Sequence, residues 1–147
     1  ILSLLLGAAG AFACDLEPDA VDIAYANARL NQIAADRYRV TSGDILSDEP
    51  LRRQIREWPG QWLRQPPGQR PDHAGRYDIA AANIVADTVI GLADFVPSCL
   101  RKGGVFIASG VIRERLDDVA AALTEKGLMP VDTLAQEDWF CLVTRYA

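Results

Sequence analysis

The chain has 147 residues, 50% of them apolar and 24% charged, which suits one folded domain with a real core and excludes a disordered chain. Its formal net charge of -5 gives no general attraction to nucleic acid or to an anionic membrane. Cys14, Cys99 and Cys141 are too few and too scattered for a disulfide framework or a metal site, and each lies in an apolar run, as free thiols do in a reducing, cytoplasmic setting.

In chain order, residues 1–13 are apolar but lack a basic start, and the run ends in Cys14-Asp15-Leu16-Glu17-Pro18-Asp19, short of the about 20 residues that span a bilayer. This reads as a helix turning into a strand, so the chain is expected to begin inside a domain. Residues 10–14 form a buried parallel strand ending at Asp15. Pro18 opens a helix with acids Glu17 and Asp19 at its positive end, and Val21, Ala24, Tyr25 and Ala28 repeat on one face. Residues 38–41 are a second strand, closed by Ser42-Gly43-Asp44.

The rhythm breaks over residues 47–76, a Pro/Arg-rich insert within a domain that otherwise runs 1–147. Five of the eight prolines and six arginines (52, 53, 56, 64, 70 and 76) fall there. A short helix is predicted over 51–58, and the remainder is read as an exposed excursion that Trp58 and Trp62 pin to the body. The arginines have Asp48, Glu49, Glu57 and Asp72 among them, which favours a solvated loop over an RNA-binding patch. His73, the single histidine, reads as a solvated loop residue, with no Ser-His-Asp arrangement around it.

Regularity returns with a strand over 77–83, ending on Asn83. Asp87 is the predicted N-cap of a helix with the face Val89, Leu92, Ala93, Val96 and Leu100, broken by Pro97 and ended by Gly103-Gly104. A strand over 105–109 follows, then a helix marked by Leu116, Val119, Ala120 and Leu123 and stopped by Gly127. Two strands near 129–134 and 139–144, joined by a short polar turn, make an antiparallel hairpin. Trp139 is read as core packing. Strands separated by helices imply parallel pairing with right-handed crossovers, so the class is α/β, Rossmann-like and mostly parallel, with a C-terminal antiparallel hairpin.

Ligands of such sheets sit beyond the carboxyl ends of the strands, where Asp15, Asp44 and Asn83 fall. A carboxylate after the second strand of the fold takes both hydroxyls of a nucleoside ribose, and one after the third accepts from an adenine amino group. The plain alternative for either acid is a helix cap. The Asn83 amide oxygen can accept from an amine while its lone pair faces a methyl donor, and in-line displacement gains much of its rate from such alignment. The alternative is that Asn83 only turns the chain. An acid after the second strand equally suits a nicotinamide dinucleotide, although the hairpin and Asn83 disfavour that ligand.

Read together, Ile1-Leu2-Ser3, Cys14-Asp15-Leu16-Glu17-Pro18-Asp19-Ala20-Val21, Ala26-Asn27-Ala28-Arg29-Leu30-Asn31, Ala82-Asn83-Ile84-Val85-Ala86-Asp87, Lys102-Gly103-Gly104, Ser109-Gly110-Val111-Ile112 and Glu137-Asp138-Trp139 give the chain a specific likeness. It resembles the bacterial PrmA family, which methylates the large-subunit ribosomal protein L eleven, over nearly all residues outside the insert. The resemblance implies an enzyme, a protein-lysine N-methyltransferase using S-adenosyl-L-methionine and acting on lysine and amino-terminal amines of that ribosomal protein. By it Asp15 binds the donor's ribose, Asn83 lies against donor and amine, and Asp44 is a further cofactor contact. No metal, membrane or direct nucleic-acid partner is expected.

In that family a glycine-rich loop runs directly into Ile-Leu-Ser, so the first strand, that loop and an upstream threonine-containing segment are expected to be missing here. The missing strand belongs between those ending at Asp15 and Asn83, and without it these 147 residues are expected to bind S-adenosyl-L-methionine poorly and to be inactive alone. A lysine must lose its proton to attack, and no side chain stands out as a base, so loss to water is the expected route. Three other readings stay open: a methyltransferase acting on RNA or a small amine, a nicotinamide-dinucleotide enzyme, and a non-catalytic module that keeps the fold.

Overall fold

The alternation of strand and helix runs along the whole of the computed structural model, which describes residues 1–58 and 76–147. The chain divides into two units, Ile1–Trp58 and Pro59–Ala147. Trp62, His73, Arg64, Arg70 and the other insert residues from 59 to 75 lie outside the described residues.

In the first unit α1 (Leu2–Leu5) leads to β1 (Ala11–Asp15), α2 (Pro18–Leu30), β2 (Tyr38–Ser42) and α3 (Glu49–Glu57). β1 and β2 pair in parallel, with Asp15 opposite Ser42. Pro18 occupies the first turn of α2, where an amide hydrogen would have no helical acceptor. The predicted face is the one used: Val21, Ala24, Tyr25 and Ala28 pack with Leu4, Tyr38 and Val40. The Tyr25 hydroxyl donates to Val40 O and takes the Val40 N–H, each at 3.0 Å, so α2 is tied to β2 by polar contacts too. Arg37 gathers the carbonyls of Leu4, Ala8 and Ala9 and closes the loop before β1.

α3 starts two residues earlier than predicted because Asp48 caps it, accepting the Leu51 N–H at 2.9 Å. It buries Leu51 and Ile55, and the Trp58 ring meets Phe12 edge-on at 6.0 Å. Arg52 donates to Ile45 O and Leu46 O, and Arg56 pairs with Glu49, local contacts of the kind a solvated segment makes.

The second unit holds β3 (Tyr77–Asn83), α4 (Ala86–Leu92), α5 (Val96–Cys99), β4 (Leu100–Ile112), a 3-10 turn at Arg113–Arg115, α6 (Leu116–Glu125), β5 (Leu128–Gln136) and β6 (Trp139–Tyr146). The strand order is β3-β4-β6-β5. β3 is parallel to β4, and β6 is antiparallel to both β4 and β5, so three strands share one direction and one opposes them. This is the mostly parallel α/β sheet with a closing hairpin that the sequence predicts. The hairpin turn is Glu137-Asp138, with Glu137 at φ 54°, and the last strand inserts between β4 and β5.

α4 and α6 pack on each other and on β4. The core there is Val89, Leu92, Phe106, Ala108, Val111, Val119, Leu123, Leu128 and Leu142, all buried. Thr144 is buried with them, and its hydroxyl donates to Phe106 O at 3.2 Å. Among the described residues no helix is long and apolar enough to cross a membrane.

Three local expectations are corrected. Asp87 is not the N-cap of α4; Val85 holds that position in extended conformation, and the Asp87 carboxylate pairs instead with Arg115 at 2.7 Å. Gly103-Gly104 does not end a helix. The chain leaves α5 at Cys99, and Leu100 already pairs with Tyr77, so residues 101–104 bulge out before Val105 pairs with Ile79. Trp139 is 54% exposed rather than core, because β6 alternates and turns Phe140, Leu142 and Thr144 inward. The helix breaks near Val96 as expected: α4 ends at Leu92, and Pro97 sits in the first turn of α5, which starts at Val96.

Leu123 is fully buried, and Leu123→Ala removes its packing and leaves a cavity. The expected loss is about 2–5 kcal/mol, read from urea denaturation of the second unit's signal. A loss under half a kilocalorie would contradict this core.

Candidate functional site

Parallel strands bring backbone ends and the residues after them to one edge, and the polar candidates fall on those edges. In the first unit Asp15 ends β1 and Asp44 follows β2 by two residues. Gly43 N–H donates to Asp15 O at 2.9 Å, so the two turns are stitched together and the two acids share one carboxyl edge. Both are exposed. Asp15 Oδ1 accepts the Glu17 N–H at 3.0 Å in a turn ahead of α2, whose N-cap is Glu17 and has no side-chain capping bond, and Oδ2 is left for a ligand. Asp44 is more committed to its own turn, with Oδ1 accepting Leu46 N–H at 2.9 Å and Oδ2 accepting the Ser47 hydroxyl at 2.6 Å. The Ser47 hydroxyl, then the Leu46 amide, hold the Asp44 carboxyl below its ordinary pKa.

Cys14 precedes Asp15 on β1. Burial, then the Asp15 charge, pushes its thiol up, so it stays a neutral packing group at neutral pH. Cys99 is buried and Cys141 half-buried, all three being free thiols.

In the second unit Asn83 ends β3 opposite Ser109 of β4. The Ile84 N–H donates to Ser109 O at 3.1 Å, which holds the chain against β4 as it turns. Asn83 is exposed, and among the described residues its side chain makes no hydrogen bond. Its amide is therefore available for a ligand. Val85, two residues on at the start of α4, is 65% exposed.

Two residues of this edge escaped the sequence reading. Gly110 has φ +83°, and a Cβ there would lie 2.9 Å from Ile84 O and 3.1 Å from Asn83 Oδ1. Besides its place in the Ser109-Gly110-Val111-Ile112 likeness, the signal was a Ser-Gly step inside an apolar strand, which marks a bulge or a close backbone approach. Arg115 bridges Asp87 and Asp118 at 2.7 and 2.9 Å and fastens the start of α4 to the start of α6. No pattern in the sequence distinguishes it from a surface arginine.

Two outcomes are expected. Gly110→Ala combines left-handed strain with a clash on Ile84, so it destabilises by about 1–3 kcal/mol and shifts the Asn83 side-chain amide resonances. Unmoved Asn83 resonances in a folded variant would refute the contact. For Asp44, the depressed folded pKa means its turn is fully stabilised above the unfolded pKa and weakens as pH falls through the folded value. Carbon-detected titration is expected to give a midpoint below the ordinary aspartate value, and Ser47→Ala should raise it.

Residues 1–147 match the family model described as ribosomal protein L11 methyltransferase (PrmA). The chain is 36% identical over 147 residues to a ribosomal protein L11 methyltransferase of Heliobacterium modesticaldum, covering all of this chain and 39% of that protein. It is 35% identical over 140 residues to one from Herpetosiphon aurantiacus, covering 95% of this chain and 42% of that protein. The chain thus spans about two fifths of the length of these relatives. Among solved structures, a ribosomal protein L11 methylase from Lactobacillus delbrueckii subsp. bulgaricus superposes with a TM-score of 0.74 at 22% identity, covering 99% of this chain and 63% of that one. An RNA methyltransferase from Salinibacter ruber in complex with S-adenosyl-L-homocysteine superposes at 0.57 and 14% identity, covering 93% of this chain and 65% of that one. These two establish the fold, and the match along the entire chain establishes more: this chain belongs to the ribosomal protein L11 methyltransferase (PrmA) family.

Proposed function

We propose that the intact protein is an S-adenosyl-L-methionine-dependent protein N-methyltransferase that modifies lysine and amino-terminal amines of a large-subunit ribosomal protein in the cytoplasm. The observation that carries this reading is an unengaged Asn83 amide at the carboxyl end of β3, in a chain that matches this family from end to end.

The residues present suit the donor. Asp15 keeps one carboxylate oxygen outside its turn contact, enough to accept a ribose hydroxyl, and its other oxygen retains a lone pair beside the Glu17 amide. Asp44, with both oxygens in its turn, has only residual lone pairs for an adenine amino group and contributes less. The donor supplies an electrophilic methyl group on a sulfonium. Asn83 Oδ1 accepts from the incoming amine and fixes the direction of its lone pair, and the exposed Val85 offers apolar surface to a lysine's methylene stem. The lysine ammonium gives its proton to water, since a neutral amine is needed for attack.

The test uses the intact protein with tritiated donor against ribosomal protein, RNA and free amines. Label is expected in the ribosomal protein. Asn83→Ala should lower kcat/KM by about a hundredfold with donor binding little changed, whereas Asp15→Asn should weaken donor binding by about tenfold. Label in RNA or free amines alone would overturn the substrate class, and full activity of Asn83→Ala would remove Asn83 from the chemistry.

A further inference from the structure

We propose that the second unit carries an anion site for a phosphate group at the amino end of its sheet, opposite the edge that bears Asn83. An open cavity of about 480 Å³ lies there, lined by Arg76, Pro97, Ser98, Leu100, Arg101, Lys102 and Tyr146. Three of those residues are cationic and none is acidic. The topology makes this convergence. Arg76 precedes the first residue of β3, Arg101 and Lys102 stand in the bulge that opens β4, and Tyr146 ends the antiparallel β6.

The charges are only partly compensated. Arg101 Nε donates to Asp78 Oδ1 at 2.7 Å and its Nη1 to Lys102 O at 3.0 Å, which fixes the guanidinium in place. Arg76 donates to Ser98 O, a neutral acceptor, and among the described residues neither Arg76 nor Lys102 has a carboxylate partner. Arg145 adds a fourth positive charge next to Lys102, donating to Gly103 O at 2.9 Å. Among the described residues four cations stand here with one carboxylate, Asp78, in a chain of net charge -5, a local concentration that water alone does not require. A size of a few hundred cubic ångströms is that of a small-ligand site, and a planar guanidinium beside an ammonium and a phenol suits the three oxygens of a phosphate. The phosphate group comes either as a free anion or as one unit of an RNA backbone, and the experiment separates these sources.

Asn83 stands at the far end of the seven-residue β3, about 20 Å away at the rise of a strand. Losses here are therefore separable from losses of methyl transfer.

The test titrates the protein with inorganic phosphate and with a short single-stranded RNA, following amide and Tyr146 resonances. Saturable shifts confined to residues 76, 98–103 and 146 are expected. Arg76→Gln/Lys102→Gln should weaken binding by at least about tenfold, and for RNA it should make the salt dependence shallower by roughly 0.7 in logarithmic slope per charge removed. Lys102→Arg, which keeps the charge, should retain binding. Far tighter RNA than phosphate binding would assign the site to a nucleic-acid backbone, and comparable binding to a free anion; either supports the site. Absence of saturable shifts with both probes, shifts that map elsewhere, or native-like binding by the folded double variant would overturn it.

Discussion

β4 comes so close to the loop after Asn83 that only a residue without a side chain fits at position 110. That approach organises the carboxyl edge of the second unit. The Ile84 N–H reaches Ser109 O, Asn83 sits across from Ser109, and Gly110 then turns left-handed beneath them. The same turn breaks register with β6, where Ser109 opposes Cys141 but Val111 opposes Phe140. One skipped residue thus lets Val111 return to the interior, where it is fully buried, while Asn83 is kept outside. The geometry of the candidate site and the closure of the core are set by one backbone event.

Packing, rather than ion pairing, holds α4 in the position that this edge requires. Arg115 bridges Asp87 and Asp118, but all three side chains are substantially exposed, and water screens such pairs. Val89 on α4 and Val119 and Leu123 on α6 are wholly buried, and each contributes about 1.5–3 kcal/mol by leaving water. The apolar face therefore fixes the helix, and the arginine refines where its first turn lies. This ordering explains why α4 needs no side-chain N-cap: Val85 in extended conformation starts it, and burial of Ala86, Val89 and Leu92 sustains it.

Much of this was legible in the sequence because apolar spacing controls it. The face Val21, Ala24, Tyr25 and Ala28, the strand over 77–83 and the break at Pro97 all follow from periodicity and from proline's missing donor. Polar ends of strands were equally visible, so Asp15, Asp44 and Asn83 could be picked out, though not what each would be bonded to. The misreadings share a cause. Asp87 has the chemistry of a cap and Gly103-Gly104 that of a helix stop, and both were overridden by partners distant in the chain, Arg115 for the first and Tyr77 with Ile79 for the second. The residue type of Trp139 suggests core, but the parity of β6 decides which way it faces.

The two ends of the second sheet differ in charge, and their separation determines what each can do to the other. The amino end gathers Arg76, Arg101, Lys102 and Arg145, with Asp78 paired to Arg101, while the carboxyl end has neutral Asn83 and, on the helices that start there, Asp87, Asp117 and Asp118, two of them paired with Arg115. Ionic strength near that of a cell screens exposed charges beyond about 8 Å, and the strand between these ends is more than twice that length. The basic end therefore does not tune the amide at the other. Whatever the cations contribute, they contribute by holding something negative where they stand. The sheet is then a spacer, carrying two polar edges whose chemistry is independent because water lies around both.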